Sequence, residues 1–178
     1  MFLKNMVQSS ILTTKRPLST DTLTSEDAML HTINWLEEHL DFISDYVMLL
    51  QPTSPLRAVE DIDNSIEEII NKDGDSIIGL VKSEKHPYWM MEIQNGEVKS
   101  YGEEQINNFT RRQDLPNIYN INGAIYITKT ELFKKTLCRW SGKTLPYIMP
   151  KERSIDIDDI KDWKLAEFML EEENNDHI

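Results

Sequence analysis

Four apolar positions, Met29, Ile33, Leu36 and Leu40, recur at spacings of four, three and four and so share one face of a helix. Thr24 stands where an N-cap belongs, with Asp27 three residues on as its capping-box partner. The run Tyr46-Val-Met-Leu-Leu50 is continuous in apolar character and short enough for a strand buried on both faces. It stops at Gln51-Pro52-Thr53-Ser54-Pro55-Leu56-Arg57, where two prolines exclude helix and central strand and predict a rigid loop. Val59, Ile62, Ile66, Ile69 and Ile70 then trace a second amphipathic helix, with Gly74 as its stop signal. Ser76-Ile-Ile-Gly-Leu-Val81 is a second strand of the buried type.

Strand, loop, helix, strand is a βαβ unit, which predicts a parallel sheet. Ligands of such sheets gather at the C-terminal strand ends, where the loops 51–57 and 82–89 both fall. Beyond them the pattern changes. Two short alternating segments flank Asn95-Gly96 and predict a hairpin closed by a type I′ turn, an antiparallel excursion from the sheet. Asn122-Gly-Ala-Ile-Tyr-Ile127 returns to strand character. A short helix is expected around residues 130–137, and a last one carries Ile160, Trp163, Ala166 and Leu170. The first 22 residues show little periodicity and read as a loop around Arg16-Pro17, and the acidic tail after Leu170 is expected to fray.

Composition narrows the function. A chain of 178 residues with 39% hydrophobic and 28% charged residues fits one globular domain. The net charge of −12 argues against a general nucleic-acid or anionic-membrane binder, yet it admits a phosphorylated small molecule held by a few cations and a metal ion. A single cysteine, Cys138, no membrane-length apolar run and no signal-peptide pattern at Met1 together predict a cytoplasmic protein. None of the four histidines makes a metal pair, and neither a zinc-hydrolase nor a serine-hydrolase motif is present.

Asp156 and Asp158 alternate in Ser154-Ile-Asp-Ile-Asp158. If that stretch is extended, both carboxylates point to one side and would repel unless a cation such as Mg²⁺ lies between them. The competing reading is that Asp158 or Asp159 caps the last helix. Arg16, Arg57, Arg111 and Arg112 lie in loops and are candidate partners for a carboxylate or phosphate, or plain surface arginines.

Five phrases occur in order: Arg16-Pro-Leu-Ser-Thr-Asp-Thr22, Leu49-Leu-Gln-Pro-Thr-Ser-Pro-Leu-Arg57, Arg112-Gln-Asp-Leu-Pro116, Asn122-Gly-Ala-Ile-Tyr-Ile127 and Ser154-Ile-Asp-Ile-Asp158. Together they resemble the CMP-sialic acid synthetases (acylneuraminate cytidylyltransferases) from about Arg16 to Leu170. The resemblance implies an α/β fold, Rossmann-like, with a mostly parallel sheet flanked by helices and an antiparallel hairpin at about 85–120 that serves as a dimerisation arm. It implies transfer of CMP from CTP to the anomeric hydroxyl of a nine-carbon acidic keto sugar, with Mg²⁺ and release of pyrophosphate, by a homodimer.

By the same resemblance, Gln51 matches a sugar contact. Arg112, Asn122 and Tyr126 match residues around the sugar's carboxylate and hydroxyls, Arg16 and Ser25 match nucleotide-side contacts, and Asp156 and Asp158 match the catalytic, metal-binding aspartates. Two departures stand out. Trp89 follows His86-Pro87-Tyr88 where the family carries a lysine, which leaves the sugar open between sialic acid and relatives such as legionaminic or pseudaminic acid. The family's glycine-, arginine- and lysine-bearing phosphate loop has no counterpart before Arg16, so residues 1–178 are expected to form a single, N-terminally truncated domain that binds CTP poorly by itself. The alternative is an inactive fragment that folds and dimerises. Synthetases for eight-carbon keto sugars fit less well, because they carry an acidic Gly-Asp-Glu-Pro phrase in place of Gln51-Pro-Thr-Ser-Pro.

Overall fold

The computed structural model describes residues 24–101, 111 and 115–175. Elements follow in the order α1 (Ser25–Leu40), β1 (Tyr46–Leu49), α2 (Val59–Asn71), β2 (Ser76–Lys82), β3 (Met91–Gln94), β4 (Glu97–Ser100), β5 (Tyr119–Lys129), α3 (Thr130–Thr136), β6 (Thr144–Met149) and α4 (Ile160–Asn175). No helix among the described residues is long and apolar enough to cross a membrane.

The main sheet has the order β1-β5-β2-β6. β5 runs antiparallel to both neighbours, while β2 and β6 pair in parallel. β1, β2 and β6 therefore point the same way, as the βαβ pattern predicts, but β5 is threaded between β1 and β2. The sheet is mixed, with helices on it as the nucleotidyltransferase resemblance implies. Three C-terminal strand ends and the loops that leave them lie along one edge.

The core forms where α2 lays Ile66 and Ile69 against Ile77, Ala124, Ile125, Ile127 and Met149. The capping box at α1 is present in full. Thr24 Oγ1 accepts from the Asp27 N–H at 3.1 Å, and Asp27 Oδ2 accepts from the Thr24 N–H at 3.0 Å. α2 closes as its sequence suggests, with the Gly74 N–H returning to the Ile69 carbonyl at 2.9 Å.

β3 and β4 form the expected hairpin. Asn95 (φ 55°) and Gly96 (φ 84°) both adopt the left-handed conformation that a type I′ turn demands. Ile93 stands opposite Val98, and Glu92 opposite Lys99, so one face of the ribbon is apolar and the other charged. Ile93 and Val98 are 78% and 69% exposed, so nothing within the described chain covers the apolar face.

β5 carries the irregularity on which the site depends. Ile78 pairs with Tyr126 and Leu80 with Ile121, so Asn122, Gly123, Ala124 and Ile125 bulge opposite the lone Gly79. A side chain at Gly79 would put its Cβ 2.6 Å from Asn122 Oδ1 and 3.2 Å from the Ile125 nitrogen, so only glycine fits.

Candidate active site

The bulge, the loop after β1 and the segment after β6 meet at the edge where β1, β2 and β6 end. Gly123 sits at φ +74°, and a Cβ placed on it would lie 2.9 Å from Asp156 Oδ2 and 3.0 Å from Gln51 Oε1. The absent side chain thus lets Gln51 and Asp156 close on the same point. Asp156 Oδ1 is buried and has no hydrogen-bond donor. A buried acceptor without a donor is uncommon in a folded protein, and a hard cation is one partner that would satisfy it.

Hydrogen bonds from three directions fix this geometry. Asn122 is buried and its carboxamide is engaged at both ends: Nδ2 donates to Ser154 Oγ and to Met149 Sδ, each at 3.1 Å, while Oδ1 accepts from the Ala124 N–H at 3.1 Å. The Ile157 N–H donates to the Thr53 carbonyl at 2.8 Å, joining the aspartate segment to the loop after β1. Arg57 turns inward and does not face a ligand. Its Nη1 donates to the Ala124 carbonyl at 2.6 Å and the Gln51 carbonyl at 3.3 Å, holding the loop on the bulge. Burial lowers its pKa, an effect that nearby Asp61 opposes.

Asp158 is exposed, and its N–H donates to Asp162 Oδ2 at 3.1 Å. The helix cap is Asp159. Its Oδ1 accepts from the N–H groups of Lys161 and Asp162, and Asp162 reciprocates by accepting from the Asp159 N–H at 3.0 Å. With Asp159 doing the capping, the carboxylates of Asp156 and Asp158 take no part in starting the helix. Among the described residues no three His, Cys, Asp or Glu side chains gather to hold a metal alone. That is compatible with Mg²⁺, which usually takes one or two carboxylates and fills its shell with water and substrate phosphate.

Tyr126 is buried on the sheet under Arg139 and Trp140. The Arg139 guanidinium lies 4.8 Å from the Tyr126 ring centroid, and the Trp140 ring stacks at 5.8 Å. Arg139 Nε approaches Glu26 Oε1 at 2.6 Å as an ion pair whose N–H is not aligned for a hydrogen bond, tying the start of α1 to this stack. Burial raises the Tyr126 pKa; Arg139 opposes the rise, while Asp156 and Glu26 add to it. Ser25 is exposed on the first turn of α1, beside Glu26.

Two cavities open at the end of β2. One, of about 500 Å³, is lined by Lys82, Ser83, Glu84, Asn117 and the buried His86, whose Nδ1 accepts from the Tyr88 N–H and whose Nε2 has no partner. The other, about 650 Å³, runs from Lys82 and Lys85 past Asn120 to Lys151, Ser154 and Ile155. Trp89 is exposed. Arg111 is exposed as well, while Arg16 and Arg112 lie outside the described residues.

No family model matches the chain, but relatives do. It is 29% identical over 158 residues to the post-translational flagellin modification protein B of Campylobacter coli, covering 88% of this chain and 66% of that protein. It is 32% identical over 151 residues to the N-acylneuraminate cytidylyltransferase of Streptococcus agalactiae serotype III, covering 84% of this chain and 35% of that protein. It is 31% identical over 159 residues to the CMP-N,N'-diacetyllegionaminic acid synthase of Legionella pneumophila, covering 86% of this chain and 67% of that protein. The chain belongs to the acylneuraminate cytidylyltransferase family. It spans about two thirds of the Campylobacter and Legionella members and about one third of the streptococcal one.

Within this family member, sequence reasoning passes over Asp61 and Arg153. Asp61, in the first turn of α2, is 1% exposed and accepts from Arg153 Nε and Nη2, each at 2.8 Å. Burial alone would raise its pKa. The Arg153 hydrogen bonds, the Ala58 N–H and the Arg153 charge outweigh that and leave it lowered. A carboxylate with a lowered folded pKa contributes stability above its unfolded value near ~3.9, and the contribution fades as pH falls through the folded value. Asp61→Asn should therefore lower stability at pH 7 by about 2–4 kcal/mol, short of a fully buried pair because Arg153 is partly exposed. It should also flatten the loss of stability on acidification below about pH 4, as urea melts at pH 7 and pH 3 would measure.

Proposed function

We propose that this chain carries the acid-sugar and metal half of a cytidylyltransferase that transfers CMP from CTP to the anomeric hydroxyl of a sialic acid-like nine-carbon keto acid. The observation that carries this reading is the meeting of Gln51 Oε1 and Asp156 Oδ2 over Gly123, on a carboxylate whose other oxygen, Oδ1, is buried without a donor. The activities for which the streptococcal and Legionella relatives are named support the substrate class.

In this reading Asp156 and Asp158 hold Mg²⁺, which when bound neutralises charge on the phosphates. Gln51 orients the sugar at the sheet edge. Lys82 and Lys85, which line the larger cavity, offer positive charge to the sugar's carboxylate. Tyr126 forms a wall of the site. Asn122 acts by holding the bulge, since its amide is already engaged. Arg112 serves the sugar, and Arg16 and Ser25 serve the nucleotide. Release of pyrophosphate accompanies the transfer, and placing the reacting groups supplies most of the acceleration.

Calorimetric titration with a panel of nine-carbon keto acids in Mg²⁺, followed by a pyrophosphate assay with CTP, tests the reading. At least one acid sugar should bind, and CTP alone should bind only weakly. Failure of every sugar would sink the proposal, and tight CTP binding would sink the division into halves.

A second reading, a domain that folds and self-associates without turning over CTP, is favoured by one observation: the uncovered apolar face of the β3–β4 ribbon. An exposed face of this kind marks an association surface. We expect Ile93→Lys to shift the chain from dimer towards monomer in sedimentation velocity, with no loss of melting temperature in the monomer.

A further inference from the structure

Two donors reach each oxygen of Asp61: Tyr147 Oη and Arg153 Nη2 on Oδ1, the Ala58 N–H and Arg153 Nε on Oδ2. The Arg153 and Ala58 links each lead to part of the site. Arg153 immediately precedes the segment Ser154-Ile155-Asp156, and its bidentate fork fixes where that segment leaves the short turn after β6. Ala58 ends the loop that begins at Gln51. Arg57, which lies in the field of Asp61, clamps the Gln51 and Ala124 carbonyls. The two arms are then zipped by the Ile157 N–H to the Thr53 carbonyl.

We propose that Asp61 is a positioning residue for this site: through Arg153 it sets the place of Asp156, and through Ala58 and Arg57 the place of the Gln51 loop. It touches no reacting group. A single buried carboxylate couples the metal arm to the sugar arm, so that the distance between Gln51 and Asp156 is fixed from behind the site. The inference rests on the proposed metal role of Asp156 only in the second arm of its test.

The test compares the full chain with Arg153→Lys, which keeps the charge but loses the planar fork, and with Asp61→Asn. Amide hydrogen exchange is followed at Ile157, with Ile77 and Ile127 in the core reporting global stability. In both variants Ile157 should lose at least tenfold more protection than Ile77 and Ile127. Loss in parallel at all three amides, or full retention at Ile157 in Arg153→Lys, would overturn the proposal. In the second arm, Mn²⁺ is titrated as a paramagnetic probe. Broadening of the Gly123 amide should require several-fold more Mn²⁺ in each variant, an effect that general loosening of the core would not produce. Unchanged broadening in folded variants would overturn the coupling to the metal arm. If Mn²⁺ leaves wild-type Gly123 untouched, it is the metal reading that fails, and the exchange arm decides the positioning role by itself.

Discussion

On the proposed function, an Asp156→Asn protein should lose metal-dependent CMP transfer by about 10²–10³-fold in kcat, the equivalent of roughly 3–4 kcal/mol of charge stabilisation. It should nevertheless melt no lower than wild type. Asp156 Oδ1 is buried with no donor, so the carboxylate gains little from its own protein surroundings. An amide of the same shape removes a buried charge and leaves the main-chain bond from Ile157 to Thr53 intact. Steady-state kinetics over a range of Mg²⁺ and a thermal melt check the two halves. Where the chain turns over too slowly to assay, loss of Mn²⁺-induced broadening at Gly123 is the equivalent readout. A fall in melting temperature of several degrees would mean that Asp156 is a structural residue and not one held ready for a cation.

The second large effect belongs to Gly123. Gly123→Ala places a side chain on a residue at φ +74°, which by itself costs about 1–2 kcal/mol. The new methyl would also meet Asp156 Oδ2 at 2.9 Å and Gln51 Oε1 at 3.0 Å. Together these should destabilise the protein by about 2–4 kcal/mol, a drop of roughly 5–15 °C in Tm for a domain of this size. Gly96→Ala provides the control. Gly96 also has a positive φ, +84°, but its missing side chain would point into open space, so that variant reports the backbone conformation alone. If the two variants melt alike, then crowding at Gly123 is absent and the close approach of Gln51 and Asp156 is not enforced there.

Local signals in the sequence were reliable where local chemistry decides the structure. The Thr24–Asp27 box, the Asn95-Gly96 turn and the break at Pro52 and Pro55 depend on near neighbours, and each is found as expected. What depends on partners far along the chain was hidden. Nothing in Tyr119–Lys129 says that it will run between β1 and β2, because that choice is made by pairing across the sheet. Thr144–Met149 contains Pro146, which argues against a strand, yet β6 lies at the sheet edge, where proline is tolerated.

The site shows the same division. Asn122 and Asp156 stand out as residue types, but their surroundings differ: one has its amide engaged by the bulge, and the other has an oxygen with no donor. Arg57 looks like a cation for an anionic ligand until its carbonyl partners are seen. Asp61 carries no signal at all, since an acidic residue in the first turn of a helix is ordinary.

The parallel pairing of β2 with β6 has a consequence for the order of assembly. Ser76 meets Thr144, 68 positions further along the chain, and the Ser76 and Thr144 hydroxyls bond at 2.8 Å. Closing so long a loop is slow compared with forming α2 or the hairpin. During synthesis, β1, α2 and β2 therefore leave the ribosome well before the strand that completes the sheet, and Asp156 follows later still. Until β6 docks, β2 has an open side and the Gln51 loop has no aspartate to face. Ribosome-bound chains that end before residue 144 should then be sticky, and emergence of β6 and the segment through Asp156 is the step that gives both a paired β2 and a site.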